Sequence, residues 1–343
     1  MKTHRNHFWV GAAALAALLT VACSHDAAPA SSASSSSATT AAAAATAPAQ
    51  EFTAAQITGA DAAPPASQTG GFDGAKAYDF TAKLVSFGPR PSGSDAIRQT
   101  QDYILAQLKG FGCTVDTDDF HASTPIGDLA MKNITVKIAG EGQGIILLLT
   151  HYDTKKLDNF VGADDGGSST GFMLEMARDM CGSKKQQNAV WMGFLDGEEA
   201  MVDWNSNNDN TYGSREMAAK LANAGDLKRV KAVLLADMIG PKSLKIQRDS
   251  NSTRWLVDLV WKTAARLGYQ DEFVSSYSGV EDDHLAFVHR GIAAVDITDF
   301  PHYQEEGFWH TPQDTMDKLS PRSFAIVGHV FLESIAALQQ KFH

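Results

Sequence analysis

Cysteine is scarce: Cys23, Cys113 and Cys181 are the only three in 343 residues. That count excludes a disulfide-dense scaffold, and no CxxC or Cys/His spacing offers a cysteine-ligated metal. Also missing is any basic block to offset a net charge of -11 and a pI near 5.4. Nucleic acid is therefore excluded as a partner, and the charge reads as a solvated acidic surface. The longest apolar run, "FWVGAAALAALLTVA", is too short to span a bilayer. No internal repeat is present. What remains is 44% hydrophobic and 20% charged, ordinary for a globular protein.

The apolar run follows the basic stretch "MKTHRNH" and precedes Cys23 in "LTVACS". A basic n-region, an apolar h-region and small residues before a cysteine form an export signal resembling that of bacterial lipoproteins, although Thr20 stands where leucine is usual. Residues 1–23 are thus expected to direct export from a bacterial cell. Lipid attachment at Cys23 would place the protein in the periplasm or at the outer membrane, and plain secretion is the alternative. Residues 24–70 are rich in Ala, Ser, Thr and Pro and nearly free of charge or large apolar groups. Such a segment buries too little surface to offset its ordering entropy, so it reads as a flexible tether. The folded domain is expected over 71–343. Cys113 and Cys181 could form one disulfide, but nothing in the sequence shows that they meet.

Helical periodicity runs through "GAKAYDFTAKLVSF" and "SDAIRQTQDYILAQLKGFG", the latter capped by Ser94 or Asp95 and stopped by Gly112. Short apolar or β-branched runs follow: "MKNITVKIAG", "GIILLLT", "NAVWMGFL", "KAVLLADMIG" and "AAVDITDF". Between them lie the helical segments "STGFMLEMARDM", "GSREMAAKLANA", "TRWLVDLVWKTAARLG", "EDDHLAFVHR" and "SPRSFAIVGHVFLESIAALQQ". The alternation predicts an α/β fold: one domain, a three-layer α/β/α sandwich around a mostly parallel mixed sheet.

Ligands in such folds bind beyond the carboxyl ends of the strands. His151 and Asp153 follow one strand, Asp196 to Glu199 another, and Asp237 ends a third; Asp164 and Asp165 sit just before a helix. One aspartate ending a strand is ordinary turn chemistry. Several strands ending in acid or histidine offer the oxygen and nitrogen donors that zinc takes, usually three with one position open. From residue types alone the candidate ligands are Asp165, Glu198 or Glu199, Asp237, His151 and His310. Asp153 is placed to accept the second ring N–H of His151 or to shape its loop. Gly197 breaks the strand before Glu198 and Glu199, which frees the two glutamates from strict alternation.

The motifs "HYD", "GADD", "DGEEA", "LADMIG" and "FWHTPQD", in this order, resemble the co-catalytic zinc aminopeptidase fold. More specifically, "HYDTK", "FVGADD", "FLDGEEA" with Trp204 and "YGSR", "EDDHLAFVHRG" and "WHTPQD" resemble the animal-type glutaminyl cyclases, from about residue 72 onward. The resemblance implies a zinc-dependent glutaminyl-peptide cyclotransferase, which turns the N-terminal glutamine of peptides or proteins into pyroglutamate with release of ammonia. It implies Asp165, Glu199 and His310 as zinc ligands and Glu198 as the proton shuttle. Asp237 and Asp282 are implied as buried acids sharing a proton near the substrate amine, and Trp204, Trp309, Lys155 and Glu281 as substrate-binding residues.

The chain also departs from that pattern. Thr150 and Thr170 replace a pair of cysteines, and Asp296 replaces a pocket histidine. The stretch "DFPHYQEEGF" leaves Phe300, Tyr303 and Phe308 as candidates for the aromatic that packs on substrate. Two other readings use the same residues. In a zinc aminopeptidase, Glu198 activates water, and His151 with Asp237 completes a second zinc site bridged by Asp165. One zinc is expected for the cyclase and two for this alternative. A non-catalytic envelope protein that binds peptides is the third reading, and the intact Glu198 argues against it.

Overall fold

The computed structural model describes residues 52–182, 186–206 and 208–343. The export signal, Cys23 and the tether up to residue 51 lie outside the described residues. Helices α1 (Gly74–Val85) and α2 (Asp95–Gly110) start where side chains cap them. Asp73 accepts from the amides of Ala75 and Lys76, and Ser94, rather than Asp95, accepts from Ile97. Strand β1 (Val115–Thr124) pairs antiparallel with β2 (Gly127–Ile138). Then come β3 (Ile145–His151), α3 (Ser169–Met180), β4 (Ala189–Leu195), α4 (Tyr212–Ala224) and β5 (Val230–Asp237). The chain continues through β6 (Ile246–Asp249), α5 (Arg254–Leu267), β7 (Phe273–Ser278), α6 (Leu285–Val288), β8 (Ala294–Thr298), α7 (Phe300–Glu305) and α8 (Pro321–Lys341).

Six strands form one mixed sheet in the order β1-β2-β4-β3-β5-β8, with β4, β3, β5 and β8 parallel. Alternation along β3 separates two cores. Ile146 and Leu148 pack with residues of α1, α3, α5 and α8; Ile145, Leu147 and Leu149 pack with α4 and α6. This is the expected three-layer sandwich, with both faces of the parallel strands covered by helices. Among the described residues no helix is long and apolar enough to cross a membrane.

Four elements escaped the sequence reading. β1 is polar and largely open to solvent at the sheet edge, β6 and β7 form a small separate pair, and α7 is a six-residue helix. The helix expected over "EDDHLAFVHR" shrinks to the four residues of α6. The tether also ends earlier than residue 70. Short 3-10 turns at Ala54–Gln56, Gly59–Asp61 and Ala66–Gln68 pack against the domain. The Ala54 amide donates to Asp79 Oδ1 at 2.7 Å, and Ser320 Oγ donates to the Asp61 carbonyl at 3.1 Å. Composition missed this because a few residues suffice: Phe52, Ala54 and Ile57 pack on the core, and two bonds between backbone and side chain tie the segment to Asp79 of α1 and to Ser320 before α8.

Cys113 and Cys181, beyond the ends of α2 and α3, form a disulfide, which decides the question the sequence left open. The bridge spans 68 residues, and closing a loop of that length in the unfolded chain stabilises the fold by at most about 4 kcal/mol. A Cys113→Ala/Cys181→Ala double variant is expected to lose ~2–4 kcal/mol in urea unfolding. An unchanged midpoint would show that the unfolded chain is already constrained there.

Candidate metal centre and substrate pocket

β4 ends at Leu195, and Gly197 turns the chain with φ of 74°. A Cβ at Gly197 would stand 2.7 Å from Met131 Sδ, so both the backbone angle and the space call for glycine. The next two amides are clamped by one buried carboxylate: Asp153 Oδ1 accepts from Glu198 at 3.1 Å and Oδ2 from Glu199 at 3.2 Å. The carbonyls of Gly197 and Glu198 accept from Tyr212 and Thr211 at the start of α4. The double glutamate thus sits on a rigid turn, as the break at Gly197 predicts. Asp153 shapes the loop and also stands 3.5 Å from His151 Nδ1. Asp196 plays a different part: fully buried, it accepts from Ser92, Gln101, Tyr152 and the Lys132 amide.

Glu199 meets Asp165 and His310. His310 Nε2 lies 3.0 Å from Glu199 Oε1 and 3.2 Å from Asp165 Oδ2, and one atom from each residue falls within a 4.8 Å group. Asp165 Oδ2 and Glu199 Oε2 are buried without a hydrogen-bond partner. Lys155 Nζ stands 3.5 Å from that same Glu199 oxygen. His310 adopts φ of 53°, an uncommon backbone angle for a non-glycine residue, and stacks on Trp309 at 3.8 Å. Burial alone would raise the Asp165 carboxyl, but His151 and His310 hold it well below the usual range. Two buried carboxylates facing one imidazole, with unpartnered oxygens, fit a divalent cation.

The other oxygen of Asp165 faces elsewhere. His151 Nε2 lies 3.4 Å from Asp165 Oδ1 and 3.0 Å from Asp237 Oδ1. These three form a second possible metal group, which Asp165 shares with the first. The five residues of the two-metal arrangement are therefore together.

A cavity of about 280 Å³ opens onto both groups. Glu198, Asp237, Asp282, Trp204 and Trp309 line it, as do Lys155 and Glu281. Burial first, and then Asp282, Glu199 and Asp283, push the Glu198 carboxyl well above its ordinary pKa, against the pull of His151. Asp282 is raised in the same way, by burial and then by Asp237 and Asp283. Burial also raises Asp237, opposed by His151. Trp204 Nε1 donates to Glu281 Oε2 at 3.2 Å, which joins two of the expected substrate-binding residues. Of the three aromatic candidates Phe300 reaches the cavity, edge-on to Trp309 at 4.9 Å. Tyr303 is buried with its hydroxyl on Asp314, and Phe308 packs on Tyr303.

Two residues that hold the site went unread in the sequence. Asp314 accepts from the amides of Asp164 at 2.8 Å and Asp165 at 3.1 Å, and it lies in the quoted "HTPQD". Arg90 is fully buried and donates to the carbonyls of Tyr152, Val161 and Gly162 at 2.9, 2.5 and 2.9 Å. Its setting, "GPRPSG", carries no periodic signal.

The family model described as peptidase family M28 matches residues 133–335, more than half of the chain. The glutaminyl-peptide cyclotransferase-like protein of Mus musculus is 31% identical over 264 residues, 68% of this chain and 67% of its own. The chain belongs to peptidase family M28, in its glutaminyl cyclase group. Among solved structures of this group, the glutaminyl cyclase of an Acidobacteriales bacterium is 37% identical. It superposes with a TM-score of 0.75 and covers 83% of this chain and 99% of that one. A Zn-dependent exopeptidase from Parabacteroides distasonis is 27% identical with a TM-score of 0.68, over 77% and 98% of the two chains. The M28 match includes Asp165, Glu198, Glu199, Asp237, Asp282 and His310, so it spans both metal groups and the acids of the cavity.

Proposed function

We propose that this M28 cyclase converts the N-terminal glutamine of peptides or proteins to pyroglutamate, releasing ammonia, with one zinc ion held by Asp165, Glu199 and His310. The observation that carries the reading is the division between the two glutamates. Both line the cavity, but Glu199 lies against His310 and Asp165 in a possible metal group, whereas Glu198 belongs to neither group and stands near Asp282. Asp165, Glu199 and His310 would hold the zinc, which when bound would supply Lewis acidity for the γ-carbonyl oxygen of glutamine. The α-amine attacks the γ-carbon, and the bond to the amide nitrogen breaks. Glu198 takes the proton from the amine and returns it to the leaving nitrogen, so one carboxylate serves both transfers. Nucleophile and electrophile belong to one residue, so orientation contributes much of the rate. Asp237 and Asp282, which also line the cavity, would hold the amine, and their raised pKa values favour a shared proton over two adjacent charges. Trp204, Trp309 and Phe300 enclose the side chain.

The peptidase reading draws on one specific observation, the division of Asp165 between His310 and His151. The test is direct. The protein should release ammonia from a Gln-initiated peptide; release of free amino acid from Leu- or Ala-initiated peptides without ammonia would establish the hydrolase instead. Trp204→Ala is expected to raise KM about tenfold, equivalent to about 1.4 kcal/mol of lost ground-state binding, with a smaller change in kcat. An unchanged KM would remove Trp204 from the substrate wall. We further propose, from the leader and Cys23, that the enzyme is exported and lipid-anchored in a bacterial envelope; labelling with a fatty-acid analogue should fail in Cys23→Ala.

A further inference from the structure

Behind the cavity lies a third buried cluster, which the cyclisation does not use. Asp249 ends β6, His284 precedes α6 and Asp296 sits mid-strand in β8. One donor atom from each lies within 4.8 Å of the others. His284 and Asp296 are 0% exposed and Asp249 is 3% exposed.

The bonding of two of the three, His284 and Asp296, is incomplete, while Asp249 is anchored by donors on both oxygens. Asp249 Oδ1 accepts from the amides of Asn251 and Val280, and Oδ2 from Ser252 Oγ. His284 Nε2 stands 3.1 Å from Asp249 Oδ2, yet neither of its ring nitrogens makes a well-directed hydrogen bond. Both carboxylate oxygens of Asp296 lack any partner. Buried carboxylates without donors are protonated, paired or metal-bound. A nitrogen and an oxygen 3.1 Å apart, with no aligned N–H between them, match neighbouring ligands on a tetrahedral ion. Bonds of about 2.0 Å place such ligands about 3.3 Å apart.

We propose that Asp249, His284 and Asp296 bind a divalent transition metal of the zinc class, at a structural site separate from the catalytic centre. One imidazole nitrogen and two carboxylate oxygens suit zinc better than magnesium or calcium, which favour all-oxygen shells. Two carboxylates and a neutral imidazole balance the double charge. The ion's place also has mechanical sense. β8 is the last strand of the sheet, and the loop after β6 lies along its free edge, with Asp296 N donating to Ser252 Oγ and Ala294 N to Thr253 Oγ1. His284 follows Asp282 by two residues, and Asp249 accepts from Val280, beside Glu281. A metal here ties the sheet edge to the turn that carries two residues of the substrate wall.

The test is zinc stoichiometry in the intact protein, incubated with excess zinc, freed of unbound ion and measured by elemental mass spectrometry. The unsubstituted protein should hold one equivalent more than Asp296→Asn and one more than His284→Gln, with their catalytic ion retained. Added zinc should raise the unfolding midpoint of the unsubstituted protein more than that of either variant. His151→Asn, measured in parallel, reports on the group shared with Asp165. Equal zinc in the unsubstituted protein and in whichever of the two cluster variants folds overturns the proposal, as does loss of the additional ion in His151→Asn alone. Ammonia release in the same preparations is a separate readout, so a failed metal site and a failed cyclase reading are distinguishable.

Discussion

Replacing Glu198 by glutamine should lower kcat for ammonia release by about 10²–10⁴-fold, with bound zinc at the unsubstituted level. Glutamine keeps the size and one acceptor oxygen of the side chain but cannot take a proton from the amine. The turn should survive, because Asp153 holds residue 198 through its amide rather than its side chain. The metal should stay, because the proposed ligand atoms belong to Asp165, Glu199 and His310, not to Glu198. Glu199→Gln makes the opposite exchange: its carboxylate faces His310 at 3.0 Å, so zinc and activity should fall together. Elemental analysis alongside initial rates separates the two cases. Loss of zinc in Glu198→Gln, or near-normal turnover, would refute the division of labour between the neighbours.

The largest expected loss of stability lies outside the catalytic residues, at Arg90→Met. Methionine refills part of the buried volume but supplies no donor for the carbonyls of Tyr152, Val161 and Gly162. A buried acceptor left without a partner costs about 1–3 kcal/mol, so the buried carbonyls of Tyr152 and Gly162 with the part-buried one of Val161 should cost about 3–5 kcal/mol once the loop relaxes. That is a large share of the roughly 5–15 kcal/mol that holds a typical domain. The damage should reach the site as well. Val161 and Gly162 lead directly into the turn bearing Asp165, so zinc affinity is expected to weaken. Urea unfolding with zinc present, and zinc retention during dialysis, measure the two effects. Arg90→Lys should recover part of the stability, since an ammonium reaches some of the carbonyls but lacks the guanidinium's fork. A midpoint for Arg90→Met within about 0.5 kcal/mol of the unsubstituted protein would show that water replaces the guanidinium.

The amino-acid sequence by itself determined the layered fold, the strand ends that bear acid or histidine, and the turn at Gly197 that sets Glu198 and Glu199 free of strict alternation. These are written in local patterns: apolar runs broken by acid or histidine, a glycine at 197 and motifs in a fixed order. The candidate ligands Asp165, Glu199 and His310, which the structure brings together, were legible for the same reason, since each sits within a short stretch of distinctive residues. Only the tertiary structure decided that Cys113 meets Cys181, that Phe300 rather than Tyr303 or Phe308 reaches the cavity, and that residues 52–70 pack on the domain. It alone brought Arg90 to carbonyls 62, 71 and 72 residues away, Asp314 to the amides of Asp164 and Asp165, and Asp249 to His284 and Asp296. Such residues have no periodic partner nearby in the chain. Their roles are set by which backbone groups and charges the packed sheet and helices leave buried and in need of a counterpart.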